Sequence, residues 1–229
     1  REVADIDMKV MSYSEMKAAC SENPLVQEKI KNDVRIQELE ILKKGFEKQL
    51  YSSENQINTN KKLIKDNLTL IHNLQKDYEL FNSNSNKFSI ELNGSKFNEK
   101  VSAGKYIIKL FEKVDVYDKK LVGNIYGFDI HIAKSRNLRG RVCRQILLNC
   151  NATHYIEEHL ISSQCLINNI EEELNNIPDL ISNIKLKNNS MSQDNIGYQA
   201  ILKKPFKFKR ELDNLIKKQT ELNLKLNLK

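Results

Sequence analysis

Apolar side chains return at seven-residue spacing along one line of the chain: Ile36, Leu50, Ile57, Ile64, Ile71 and Tyr78. Leu39, Phe46, Leu74 and Phe81 fall three residues after positions on that line. This spacing draws one apolar stripe along a helix and calls for a partner helix to cover it. Asn23-Pro24 marks the start, because Asn accepts hydrogen bonds from the first free N–H groups and proline has no N–H to leave unpaired. Only Gly45 interrupts the pattern before about Phe81, and ~58 helical residues would reach roughly 87 Å. The stripe weakens at Lys43 on one line and at Ser53, Asn60 and Asn67 on the other, where Leu68 is expected to help fill the gap. A short helix is expected ahead of it, opened by Ser12 and Glu15 as a capping box and reaching about Cys20.

A matching stripe follows later in the chain. Ile167, Ile170, Leu174, Ile177, Ile181 and Ile184 alternate at spacings of three and four, and the frame continues through Asn188, Met191, Asn195, Tyr198 and Leu202. In an antiparallel pairing its polar middle faces the polar middle of the first helix. Pro178 either kinks this helix or starts a second segment, Pro205 ends it, and Phe208, Leu212, Leu215, Leu222 and Leu226 mark a final helix along the base of the bundle.

Between the two stripes the period changes from helical to alternating. Phe88 to Leu92 reads as a strand, and Asn93-Gly94 as a hairpin turn, since both residues tolerate positive φ. Asn98 is expected to cap a helix carrying Val101, Tyr106, Ile107, Leu110 and Phe111. Leu121 to Ile125, Phe128 to Ala133, Val142 to Leu148 and Thr153 to Ile156 then read as four further strands, with Gly123, Gly127 and Gly140 near turns. The expected fold is therefore α+β: a long antiparallel coiled-coil arm carrying a small antiparallel sheet and one helix at its tip. Its three regions are 1–85, 86–160 and 161–229.

Composition narrows this further. Seven Gly, three Pro and no Trp among 229 residues leave little material for propellers, sandwiches or phosphate-cradling loops, while 29% charged residues and 27 Asn suit long solvated helices. No apolar run approaches the ~18 residues of a membrane span, and Arg1 to Asp5 have no secretion-signal character, so a soluble cytoplasmic protein is expected. The chain opens without Met, which suggests a fragment of a longer protein. The net charge of +7 is uneven: residues 86–160 carry 13 basic against 8 acidic side chains, whereas residues 1–85 carry 13 against 14.

Several stretches together resemble one known region: Ser12-Tyr13-Ser14-Glu15-Met16-Lys17, Asn23-Pro24-Leu25, the long helix, Gly127-Phe128-Asp129 after a strand, Lys204-Pro205-Phe206 with Glu211-Leu212, and Leu222-Asn223. They are similar to the carboxyl-terminal region of very large Swi/Snf-type or DEAD/DEAH-box helicases, sometimes fused to an adenine-specific DNA methyltransferase, of bacterial conjugative elements and phages. The resemblance spans nearly the whole chain, and its motifs are structural rather than catalytic. It implies a parent that is an ATP-dependent DNA helicase, with the remainder of that chain as a partner. The motor itself is absent here: there is no GxxxxGK[ST] phosphate loop and no Asp-Glu pair in a DEAH-like setting.

Three groups of residues could carry chemistry. Lys134, Arg136, Arg139, Arg141 and Arg144 place five cations in eleven residues between strands with no acid among them, a pattern suited to phosphate contacts that ignore base sequence, or to an ordinary solvated turn. In Lys203-Lys204-Pro205-Phe206-Lys207-Phe208-Lys209-Arg210, two aromatics could stack on bases while the cations follow a backbone, or could plug the end of the bundle. Cys143, Cys150, His154, His159 and Cys165 lack the close pairing of a zinc site and are expected to be buried thiols and surface histidines. No catalytic set, metal or cofactor is expected. The expected role is a non-catalytic accessory module that contacts DNA without sequence specificity. The alternative is a structural or oligomerisation module with no nucleic-acid contact; the sequence leaves self-association open.

Overall fold

The computed structural model describes residues 23–156 and 165–226. The expected helix from Ser12 to Cys20, and His159, lie outside the described residues. Helix α1 (Pro24–Asn84) begins as expected: the Asn23 side-chain oxygen accepts from the Leu25 N–H at 3.0 Å, and its carbonyl accepts from Val26 and Gln27. Strands β1 (Ile90–Leu92) and β2 (Ser95–Phe97) form a hairpin across Asn93 and Gly94, whose φ of +47° and +79° define the mirror-image turn that suits a twisted hairpin. After helix α2 (Lys100–Phe111) come β3 (Lys119–Ile125), β4 (Phe128–Arg136), β5 (Val142–Asn149) and β6 (Thr153–Ile156). Helices α3 (Leu166–Asn175), α4 (Ile177–Leu202) and α5 (Lys209–Lys225) complete the described chain. The fold is α+β, with a six-stranded sheet in the order β2-β1-β3-β4-β5-β6 and every neighbouring pair antiparallel.

The chain divides into two compact units, and α1 contributes to both. In the unit spanning residues 60–193, α2 and α3 cover the sheet face that presents Ile130, Ile132, Ile146 and Leu148. Ile107, Leu110 and Phe111 of α2, Ile167, Ile170 and Leu174 of α3, and Ile71, Leu74 and Phe81 of α1 join them in one core. Each such side chain contributes about 1.5–3 kcal/mol when fully buried. Here α1 and α4 pair as the stripes predict, and the two polar middles do meet: Asn67 Nδ2 donates to Asn188 Oδ1 at 2.7 Å. In the other unit, α5 runs antiparallel to α1. Glu28 meets Lys218, Asn32 meets Leu215 and Arg35 meets Glu211, around a small core of Ile36, Leu39 and Leu212.

Several local expectations are corrected. Helix α2 starts one residue late, with Glu99 rather than Asn98 at the cap, because the chain stays extended through Glu99 (φ −121°, ψ 124°). Val101 is exposed and Ala103 takes its place against the sheet. Gly123 lies inside β3 rather than near a turn, at a bulge where the backbone of β1 comes so close that a Cβ would fall 1.9 Å from the Glu91 carbonyl oxygen. Leu68 points away from the stripe and is exposed, while Ser53 and Asn60 are buried on it. The return helix breaks at Asn176, and Pro178 sits in the first turn of α4, where its missing N–H leaves no bond unmade.

Candidate nucleic-acid interface

The cation cluster from Lys134 to Arg144 occupies the β4–β5 hairpin. Pairing sets Lys134 directly opposite Arg144 and Arg136 opposite Val142. By strand alternation Lys134 and Arg136 share the face of Ile130 and Ile132, so the apolar core face runs on into a basic one. At that boundary the Arg144 guanidinium lies 5.9 Å from the Phe111 ring at the end of α2, a cation–π contact that also suits a helix C-terminus. Two like charges directly opposite in a ladder cost the sheet stability, which the contact of Arg144 with Phe111 helps to offset.

The loop from 137 to 141 is held by its own bonds. The Asn137 side-chain oxygen accepts from the N–H groups of Arg139 and Arg141, both at 3.0 Å, and the Asn137 N–H donates to the Arg141 carbonyl at 2.9 Å. Gly140 supplies the left-handed conformation at φ +76°, and its carbonyl accepts from Arg136 Nη1 at 2.9 Å. Arg139 and Arg141 are exposed, and Leu138 between them is fully so. The loop thus presents a fixed basic tip. Lys134, Arg136, Arg139 and Arg141 form no ion pair with an acid among the described residues.

The second cluster is arranged differently. Phe206 lies 5.7 Å from the Phe46 ring and 6.0 Å from Phe208, and both pack on the core of Ile36, Leu39 and Leu212. They close the helical bundle, which was the alternative to base stacking. Lys203 and Lys204 follow α4, where cations complement the helix dipole. Lys207 lies 5.4 Å from the Phe208 ring. Lys209 and Arg210 open α5, the end that disfavours positive charge, and both are exposed. The two clusters belong to different units.

Among the described residues the expectation of surface histidines and buried thiols is corrected for His154, Cys150 and Cys165. His154 is buried, while Cys150 and Cys165 are exposed and Cys143 is half-buried. His154 Nε2 lies 3.0 Å from Asp77, a fully buried carboxylate of α1 that also accepts from the N–H groups of Asn151 and Ala152 and from Asn151 Nδ2. Burial alone would raise the Asp77 pKa, but these hydrogen bonds outweigh it and hold the carboxyl below its ordinary 3.8. Asp77 therefore clamps the β5–β6 turn onto α1. Although Cys150 is exposed as a residue, partial desolvation of its sulfur first, and then Asp77, push the thiol up, which is the wrong direction for a nucleophile. No group of three or more His, Cys, Asp and Glu among the described residues could hold a metal ion.

A cleft of about 310 Å³ lies beside Phe81, Phe88, Lys100 and Tyr126. Its polar groups bind one another: Lys100 pairs with Glu171 at 2.6 Å, and the Tyr126 hydroxyl donates to Glu171 at 2.6 Å. Burial and then the Glu171 carboxylate push the Tyr126 hydroxyl well above its ordinary pKa, so it stays protonated. The charged and phenolic groups of the cleft are thus already engaged with one another.

Two residues of the basic surface escaped the sequence. Leu138 carries a weak signal, an apolar residue in a loop otherwise polar and basic. Tyr117 carries none beyond a turn-like Asp115-Val116-Tyr117-Asp118, although it is exposed and its N–H donates to the Lys134 carbonyl at 2.7 Å. No family model matches the sequence, no curated protein matches it, and no solved structure matches the fold. No helix among the described residues is long and apolar enough to cross a membrane.

Proposed function

We propose that this chain is a non-catalytic accessory module of a DNA-processing, helicase-like protein and that it contacts the nucleic-acid backbone through the β4–β5 hairpin. The observation that carries this is the Lys134–Arg144 ladder pair leading into a hydrogen-bonded loop with Arg139 and Arg141 exposed. A fixed loop loses little conformational entropy when it binds, and arginine forks suit phosphate oxygens. The resemblance to the carboxyl-terminal region of conjugative-element and phage helicases supports DNA over other polyanions, and on this reading the module works in the cytoplasm beside the remainder of its parent chain.

Fluorescence anisotropy with labelled DNA across a salt series tests the proposal. Binding is expected to weaken with salt. Replacing Lys134, Arg136, Arg139, Arg141 and Arg144 together by Ala is expected to flatten the slope of log affinity against log salt by about 4, at ~0.7–0.9 per phosphate contact. An unchanged slope in that variant overturns it.

A protein-interaction module is the second reading. It draws on Leu63 and Leu70, exposed one heptad apart on α1. Absence of DNA binding at low salt, with concentration-dependent sedimentation, would favour it.

A further inference from the structure

Tyr117 stands at the third position of the turn Asp115–Asp118, closed by the Asp118 N–H on the Asp115 carbonyl at 3.1 Å. Its φ is +76°, a conformation that such a turn normally gives to Gly or Asn and that crowds the Cβ of a bulky residue. The same chain contains an internal control. Tyr126 also has positive φ, at +54°, but its ring meets Phe81 edge-on at 5.4 Å and its hydroxyl donates to Glu171, so packing offsets the strain. Tyr117 has no such compensation: 75% of its surface is exposed, and its side chain makes no hydrogen bond or ring contact among the described residues. Strain that the fold does not use points to a role outside the fold.

Its position suggests which role. The Tyr117 N–H donates to the Lys134 carbonyl at 2.7 Å, and the Lys134 N–H to the Asp118 carbonyl at 3.3 Å, so the turn is stitched onto the strand that leads to Arg136 and the basic loop. Asp115 and Asp118 stand two residues before and one after Tyr117 in the same turn, and their charge disfavours a phosphate there. An uncharged aromatic face is what the corner can bind, and the cations beside it can hold the backbone attached to that face. In a duplex every internal base is already stacked on both sides, so the free ring has partners only among unpaired bases.

We propose that Tyr117 is a stacking platform for an unpaired base and that the ligand of this surface is single-stranded nucleic acid. This rests on the assignment of the basic hairpin to phosphate contact and adds the form of the strand. Anisotropy with oligothymidylate about 15 nucleotides long, within the usual footprint of such sites, is compared with a duplex of equal length. Tyr117→Gly is expected to weaken oligothymidylate binding about tenfold, to leave duplex binding and the salt slope unchanged, and to melt no lower than wild type because the strain is relieved. Tyr117→Phe, which keeps the ring, is expected to bind like wild type. If Tyr117→Gly binds oligothymidylate as tightly as wild type, or weakens both DNA forms equally, the platform is overturned while the hairpin assignment stands. If wild type binds neither form, both fall.

Discussion

Helix α1 enters two cores of very different size. Between residues 60 and 84 it contributes Ile71, Leu74 and Phe81 to a cluster that also takes in α2, α3 and most of the sheet, and Asp77 fixes the β5–β6 turn from the same face. Between residues 24 and 59 its buried cluster is small, Ile36 and Leu39 with Leu212, helped by half-buried Phe206, Phe208 and Leu215 and by exposed ion pairs such as Arg35–Glu211. One continuous helix is thus held by different means along its length. Where a sheet supplies many apolar neighbours, α1 can also accommodate a buried charge. Where helices alone pack against it, aromatic residues from a basic turn supply part of the apolar area, and this decides the fate of the second cation cluster. Phe206 and Phe208 are occupied in packing, whereas Tyr117 and Leu138 beside the first cluster are left to solvent.

Four perturbations sharpen this contrast, in falling order of expected effect. Asp77→Ala strips the acceptor from His154, Asn151 and Ala152 at once. It should destabilise the unit of residues 60–193 by about 4 kcal/mol, read by urea unfolding followed in the sheet signal, in line with the loss of one partner of a buried pair. Because Asp77 has its pKa depressed in the folded state, its contribution is complete above the ordinary 3.8 and disappears as pH falls through the lowered value. The wild type should therefore lose stability below about pH 4 more steeply than Asp77→Asn, and parallel acid titrations would break the clamp assignment.

Leu39→Ala should destabilise the other unit by about 3 kcal/mol, since Leu39 is fully buried in a core with few other members. Amide exchange should rise across α5, while protection of β4 and β5 stays unchanged; equal losses in both would mean the units are not separately held. Phe206→Ala, at a half-buried ring, should destabilise the same unit by about 1–2 kcal/mol, read by thermal melting. A loss of DNA binding without any loss of stability would return the ring to base stacking. The smallest effect is expected from Arg35→Ala. Its pKa is raised, first by its hydrogen bond to Glu211, yet both partners are about 40% exposed and water screens the pair. A change below about 0.5 kcal/mol is expected by the same melting assay.

Most elements were legible along the chain. The seven-residue repeat of α1, the cap at Asn23, the Asn93-Gly94 hairpin and the four later strands depend on contacts between residues a few positions apart, and such contacts leave a period in the sequence. The face of the return helix was legible too, and with it the meeting of Asn67 and Asn188, because two defects in matching stripes can be satisfied only by facing each other. The cations of the hairpin were likewise visible, since charge is a property of the residue itself.

What the sequence could not determine was which environment each polar or aromatic residue would meet. His154 is buried because Asp77, 77 positions earlier, happens to face the β5–β6 turn. Tyr126 and Tyr117 are alike in sequence terms, yet one is packed against Phe81 and the other is held in solvent by a strained turn. Periodicity records local geometry, whereas burial, pKa and strain are set by which distant segments come together, and only the tertiary structure decides that.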